Sequence, residues 1–180
     1  MQIGTVDLNH KVLLVAEIGN NHEGDVELAE RLIYLAAEAG ADVAKFQTIT
    51  PQRLVRTTDM IRLSQLERFA LSREDHERLA LAAESAGIIF MSTPFSVDAV
   101  SWLNDLVPAF KIASGDNDFA PLLRRVGDTG KPIILSTGMS SERQVDLACS
   151  LIRAHWNLRD LSPGLALLQC VSSYPAPADQ

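Results

Sequence analysis

Two lysines stand where an ammonium group is expensive to keep. Lys45 lies in Val43-Ala44-Lys45-Phe46-Gln47-Thr48, and Lys111 lies in Ala109-Phe110-Lys111-Ile112-Ala113-Ser114-Gly115-Asp116. Both are flanked by apolar residues, and burying an unpaired charge is costly, so something anionic should meet them. Hydroxyls follow other apolar runs in the same way: Thr93 in Ser92-Thr93-Pro94-Phe95, Ser114 after Lys111, and Ser136 in Leu135-Ser136-Thr137-Gly138-Met139. Lysines, hydroxyls and glycine-containing turns together suit a phosphate or carboxylate, which accepts many hydrogen bonds at close range. The chemistry these residue types imply is recognition of a small anionic substrate, one that carries phosphate.

For these side chains to meet, the chain must bring them to one place, and its patterning says how. Short apolar runs at Val12–Ala16, Asp42–Phe46, Ile88–Met91, Ala109–Ile112, Pro132–Leu135 and Leu165–Leu168 are too short for helices. Most are apolar throughout, as expected of parallel strands buried on both faces. Between them lie amphipathic segments. Val26, Ala29, Leu32, Ile33, Ala36 and Ala37 recur at helical spacing, with Gly40 placed for a left-handed cap. Ser72 with Asp75 and Ser141 with Gln144 read as capping boxes, Ser96 as the cap of a helix over 97–106, and Gly87 as a helix stop. The helix after Ser141 runs to about His155. About six strands thus alternate with about five helices, which predicts an α/β fold with a parallel sheet. One connection is long, Thr48 to Leu71, and long loops in compact domains are usually functional. In parallel α/β folds, residues at the C-terminal ends of strands line the site. The runs end in Glu17, Lys45 to Gln47, Thr93, Lys111 to Asp116, Ser136 and Gln169 to Tyr174, so every strand releases polar groups on one side.

Composition excludes other classes. The net charge is −7, the pI about 5.0, and basic residues form no stripe, which argues against nucleic acid. No apolar run approaches the ~20 residues that span a bilayer, and residues 1–11 carry no signal-peptide core. The two cysteines, Cys149 and Cys170, sit in unlike contexts and make no disulfide framework, so a cytoplasmic setting is expected.

Five motifs in order carry a resemblance. Ala16-Glu17-Ile18-Gly19-Asn20-Asn21-His22-Glu23-Gly24, Val43 to Thr48, Ser92 to Phe95, Lys111 to Asp116 and Leu135 to Met139 resemble the N-acetylneuraminate (sialic acid) synthase family, which includes synthases of related nonulosonic acids and spore-coat polysaccharide proteins. The resemblance implies a TIM (β/α)8-type barrel that condenses phosphoenolpyruvate with an N-acetylated amino sugar, an N-acetylmannosamine-like acceptor in its open aldehyde form. The product is a sialic-type acid, and phosphate leaves by C–O cleavage. It also implies roles. Lys45, Thr93, Lys111, Ser114, Ser136, Ser172 and Tyr174 would surround phosphoenolpyruvate. Glu17 and Asp116 would handle protons, and Gln47 and Tyr174 would touch the sugar. Asp116 stands where some members carry Glu, and Ser172 where some carry Asn. A divalent metal, manganese or magnesium, and a homodimer are implied for the full-length family.

A complete barrel takes roughly 250 residues. The expectation is therefore one domain over residues 1–180, about six β/α units, ending before strands seven and eight, before the family's metal histidines and before its small C-terminal antifreeze-like domain. Alone, such a chain is expected to lack condensing activity. Plainer uses exist for the same residues. Glu17 can pair with Lys45, the lysines can snorkel at the sheet edge, and the hydroxyls can satisfy turn backbone. His22 reads as a loop-ordering residue, Cys170 as an inert small residue, and His76 and His155 as helix-surface residues. Two other functions compete: a Schiff-base aldolase with Lys45 or Lys111 as nucleophile, and a non-catalytic ligand-binding remnant.

Overall fold

A computed structural model describes residues 1–173, 176 and 177. Six parallel strands carry the architecture: β3 (Val15–Gly19), β4 (Val43–Thr48), β5 (Ile89–Pro94), β6 (Phe110–Ile112), β7 (Ile133–Ser136) and β8 (Leu165–Leu168). β3, β4 and β5 form one ladder and β6, β7 and β8 another, with β5 and β6 side by side. The expected α/β class with parallel pairing is thus present. An antiparallel hairpin, β1 (Gln2–Ile3) and β2 (Val6–Asp7), precedes them. It is too short to show any periodicity in sequence.

Alternation along each strand separates two environments. Ala44, Phe46, Phe90, Phe110, Ile112, Ile133 and Leu135 face outward into the main core against the helices. Val43, Met91, Ala109 and Ile134 face inward and pack on Ile3 of the hairpin, which plugs the end where the strands begin. Farther along the same inward faces the residues turn polar: Lys45, Thr93, Lys111 and Ser136 are all buried.

The helices follow their sequence signals. α1 (Val26–Glu38) is capped by the Asp25 side chain and buries Ala29 and Ile33, and Gly40 follows with φ +85°. α4 (Arg73–Ser85) and α7 (Glu142–Asn157) open with the capping boxes read at Ser72–Asp75 and Ser141–Gln144. α5 (Val97–Leu103) is capped by Ser96 and ends before the expected 106. α6 (Ala120–Gly127) buries Leu122, Leu123 and Val126. The long connection after β4 is not a bare loop: it holds α2 (Pro51–Leu54) and α3 (Met60–Phe69).

The first parallel strand begins at Val15 rather than Val12. Val12 is 85% exposed, and just after it Leu14 is tied to the start of β4: its N–H donates to the Asp42 carboxylate and its carbonyl accepts from the Asp42 and Val43 N–H groups. Among the described residues, β3 and β8 each pair on one side only. Beside them Val12, Leu14, Leu167 and Leu168 are solvent-exposed, and none of the four is a charged or proline guard against edge pairing. Self-association of the purified 180-residue chain is the expected outcome. Sedimentation velocity across a concentration series checks it, and a monomer at all concentrations would contradict it.

Candidate anion site

At the C-terminal ends of the strands a cavity of about 390 Å³ opens, lined by Glu17, Lys45, Gln47, Thr93, Lys111, Ser114, Ser136 and Ser172 among others. Strand register explains the convergence. Glu17 pairs with Lys45 across β3 and β4, Gln47 with Thr93 across β4 and β5, and each residue sits on the inward phase of its strand. Eight of the ten residues singled out in sequence therefore share one cavity. Asp116 is not among its lining residues: it lies in the 3-10 turn Ser114–Asp116 after β6, with one carboxyl oxygen buried and without a hydrogen-bond partner among the described residues. Tyr174 lies outside the described residues.

Lys45 Nζ sits 2.7 Å from Glu17 Oε2 and donates to Thr93 Oγ1 at 3.1 Å. The plain reading of Glu17 as partner to Lys45 is thus geometrically met, yet the Glu17 side chain is 48% exposed and reaches the cavity. Lys111 Nζ donates to Ser136 Oγ at 2.5 Å and to the Ile112 carbonyl at 3.0 Å. Neither lysine snorkels; both are buried. Among the described residues, Lys111 meets no carboxylate within ion-pair distance. Burial, and then the nearby Lys45 charge, push its pKa down to about 8. The site therefore stores positive charge that an incoming anion would relieve.

Glycine and cysteine shape the far wall. Gly138 N–H donates to Ser114 Oγ at 3.0 Å, and a Cβ on Gly138 would stand 2.8 Å from that oxygen and 3.1 Å from Cys170 Cβ. Cys170 lines the cavity. Burial opposes ionisation of its thiol. Hydrogen bonds from Ser136, Thr137, Ser114 and Gly138 outweigh that and hold its pKa below the ordinary value. Burial first, and the Asp118 charge second, push the Asp116 carboxyl upward.

Other residues are placed differently from their sequence reading. His76 is fully buried, not on a helix surface, because Phe90 and Trp102 close over it from neighbouring elements. His155 is part-buried and pairs with Asp128 at 2.6 Å. His22 orders its loop as read, with Nδ1 accepting from Gly24 N–H at 3.0 Å. Asn20 was missed: its amide donates to Gln47 Oε1 at 3.0 Å and fixes how Gln47 meets the cavity. Its place beside Glu17 in the first motif was the available signal.

Among the described residues, no three His, Cys, Asp or Glu side chains converge as metal ligands would. The described residues thus offer no fit for the divalent metal that the resemblance implies, and nothing below is routed through one. Among the described residues, no helix is long and apolar enough to cross a membrane.

The Lys111 pKa gives a direct expectation. Below about pH 8 Lys111 is charged and can bind an anion; above it the neutral amine predominates. Phosphate affinity should fall as pH rises from 8 to 10, by up to about tenfold per unit once the neutral form dominates. Calorimetric titration at several pH values checks this, and an unchanged affinity up to pH 10 would contradict it.

The NeuB family pattern matches residues 32–180. An N,N'-diacetyllegionaminic acid synthase of Legionella pneumophila is 37% identical over 177 residues, covering 91% of this chain and 49% of that protein. An N-acetylneuraminate-9-phosphate synthase of Homo sapiens is 31% identical, covering 92% of this chain and 48% of that protein. The crystal structure of an N-acetylneuraminic acid synthetase from Leptospira borgpetersenii, in complex with citrate, superposes with TM-score 0.90 at 31% identity, over 99% of this chain and 61% of that one. This chain spans about half the length of the curated relatives it matches. With strand order, cavity and motifs in agreement, the chain belongs to the NeuB family.

Proposed function

We propose that these 180 residues form the phosphoenolpyruvate-binding part of a (β/α)-barrel synthase that joins phosphoenolpyruvate to an N-acetylated amino sugar, giving a nonulosonic acid and phosphate. The observation that carries this is the pair of buried lysines opening into one hydroxyl-lined cavity. Lys45 and Lys111 neutralise the ligand's phosphate and carboxylate, while Thr93, Ser114, Ser136 and Ser172 supply hydrogen bonds. The lysines also stabilise charge that develops as the methylene carbon attacks the aldehyde. Glu17, half-exposed and beside Lys45, is the acid–base group nearest this chemistry; Asp116 serves only if it swings toward the cavity. Gln47, fixed by Asn20, faces the acceptor sugar. A citrate complex of the Leptospira synthetase accords with an anion-binding family member. In this reading the six described parallel strands are part of a larger barrel, and the complete enzyme is a homodimer.

A second reading keeps a specific observation in its favour. A lysine with its pKa lowered to about 8 can serve as an amine nucleophile, and Lys111 is such a lysine. The two readings separate by trapping. Incubation with pyruvate and borohydride should leave the chain's mass unchanged if it is a synthase, while phosphoenolpyruvate protects it from heat. A reduced pyruvate adduct on Lys111 would establish the Schiff-base reading and overturn the first.

A further inference from the structure

Behind the cavity, on the outer faces of β4 and β5, lies a buried polar chain that the proposed reaction does not use. His76 Nδ1 donates to the Ser72 carbonyl at 2.8 Å, which leaves Nε2 as an acceptor. Thr48 Oγ1 lies 3.0 Å from Nε2 and so donates to it, and Ser92 Oγ, 2.7 Å from Thr48 Oγ1, donates to Thr48. His76 and Ser92 are fully buried and Thr48 nearly so, among Phe46, Phe90 and Trp102. Burial lowers the His76 pKa, against the Ser72 and Gln47 backbone and the Asp75 charge, and so favours the neutral ring that this direction of donation requires.

The chain spans the site's framework diagonally. On β4 and β5, Phe46 stands opposite Ser92 and Thr48 opposite Pro94, so the Thr48–Ser92 bond runs across the register. On the inner face the Lys45–Thr93 bond crosses the same two strands along the opposite diagonal, since Lys45 stands opposite Met91. Two opposed diagonals resist sliding in either direction. The residues so held are adjacent to the outer chain: Gln47 precedes Thr48, and Thr93 follows Ser92. Apolar residues at all three outer positions would suit the surrounding core at little cost to folding, since replacing both partners of a buried hydrogen bond can be nearly neutral. A fully satisfied buried network instead specifies one arrangement.

We propose that His76 is a positioning residue of the anion cavity: through Thr48 and Ser92 it locks the ends of β4 and β5, and so holds Lys45, Gln47 and Thr93 in binding geometry. The inference rests on the reading of the cavity as a phosphoenolpyruvate site. Its test uses the 180-residue chain and phosphoenolpyruvate as probe, titrated by calorimetry well below each protein's melting temperature. Thr48→Val removes the central hydroxyl at nearly constant shape, and Thr48→Ser keeps it. Thr48→Val should bind about tenfold more weakly than wild type, while Thr48→Ser binds within about twofold. His76→Leu should resemble Thr48→Val. If Thr48→Val does not fold, Ser92→Ala replaces it, with the same expected loss. Wild-type affinity in a folded Thr48→Val or Ser92→Ala chain, even with a lowered melting temperature, would mean a purely structural network and would overturn the proposal alone. No binding by the wild-type chain would overturn the cavity reading together with it.

Discussion

Replacing Lys45 and Lys111 together by Met is expected to abolish the thermal protection that phosphoenolpyruvate gives the chain. A ligand at about 100 times its dissociation constant stabilises a protein by about 2.7 kcal/mol. For a domain of this size that is a rise of roughly 5–10 °C in melting temperature. Both ammonium groups are buried in the cavity wall, and among the described residues no other Lys or Arg lines it. Single replacements should be graded. Lys111→Met removes the cation without an ion pair and should eliminate most of the shift. Lys45→Met removes a cation already paired with Glu17 and should leave part of it. Met keeps the unbranched bulk of Lys, so each variant is compared with its own unliganded melt. An undiminished shift in the double variant would place anion binding elsewhere.

The second large effect concerns the loop that follows Glu17. Gly24 has φ +88°, and a Cβ there would stand 2.0 Å from the Arg68 carbonyl oxygen at the end of α3. Something in the backbone must move, and no flexible side-chain end is available to yield. Gly24→Ala should therefore cost on the order of 3–5 kcal/mol, a fall of roughly 10 °C or more. Gly40 provides the control. Its φ is +85°, yet nothing lies within 4 Å of an added Cβ, so Gly40→Ala meets only the left-handed penalty of about 1–2 kcal/mol. Equal melting temperatures for the two variants would contradict the close packing of the 20–25 loop on α3. The same packing couples the Glu17 end of β3 to the insertion after β4, where Arg68 also pairs with Glu23 at 3.3 Å.

Local signals in the sequence translated well into local structure. Ser72 with Asp75 and Ser141 with Gln144 close as capping boxes, because those geometries involve only four consecutive residues. Leu165–Leu168 is a strand at the bounds expected, set by Pro163-Gly164 before it. The cavity was legible for a related reason. Inward phase alternates along each strand, so Lys45 with Gln47 and Glu17 with its register partner Lys45 fall on one side once the strands are parallel.

What the sequence hid depends on distant contacts. His76 reads as a polar residue in the first turn of a helix, and only Phe90 and Trp102, from other elements, bury it. α3 buries just Leu63 and Leu66 among charged neighbours, too thin an apolar stripe to stand out in the stretch from Thr48 to Leu71. Val12 to Leu14 are apolar enough for a strand, but regular pairing with β4 starts only at Val15, and the Asp42 side chain, not a strand neighbour, takes the Leu14 N–H. Asp116 follows Lys111 closely, yet the 3-10 turn after β6 carries it off the cavity wall.

The central claim is that one cavity, walled by Lys45 and Lys111, receives phosphoenolpyruvate. A crystal structure of the chain soaked in phosphoenolpyruvate tests it most directly. The account predicts density for the ligand in the cavity, one anionic group within hydrogen-bonding distance of Lys111 Nζ and Ser136 Oγ, and the other at Lys45 and Thr93. An unoccupied cavity at saturating ligand, with Lys45 still on Glu17 and Lys111 still on Ser136, would contradict it.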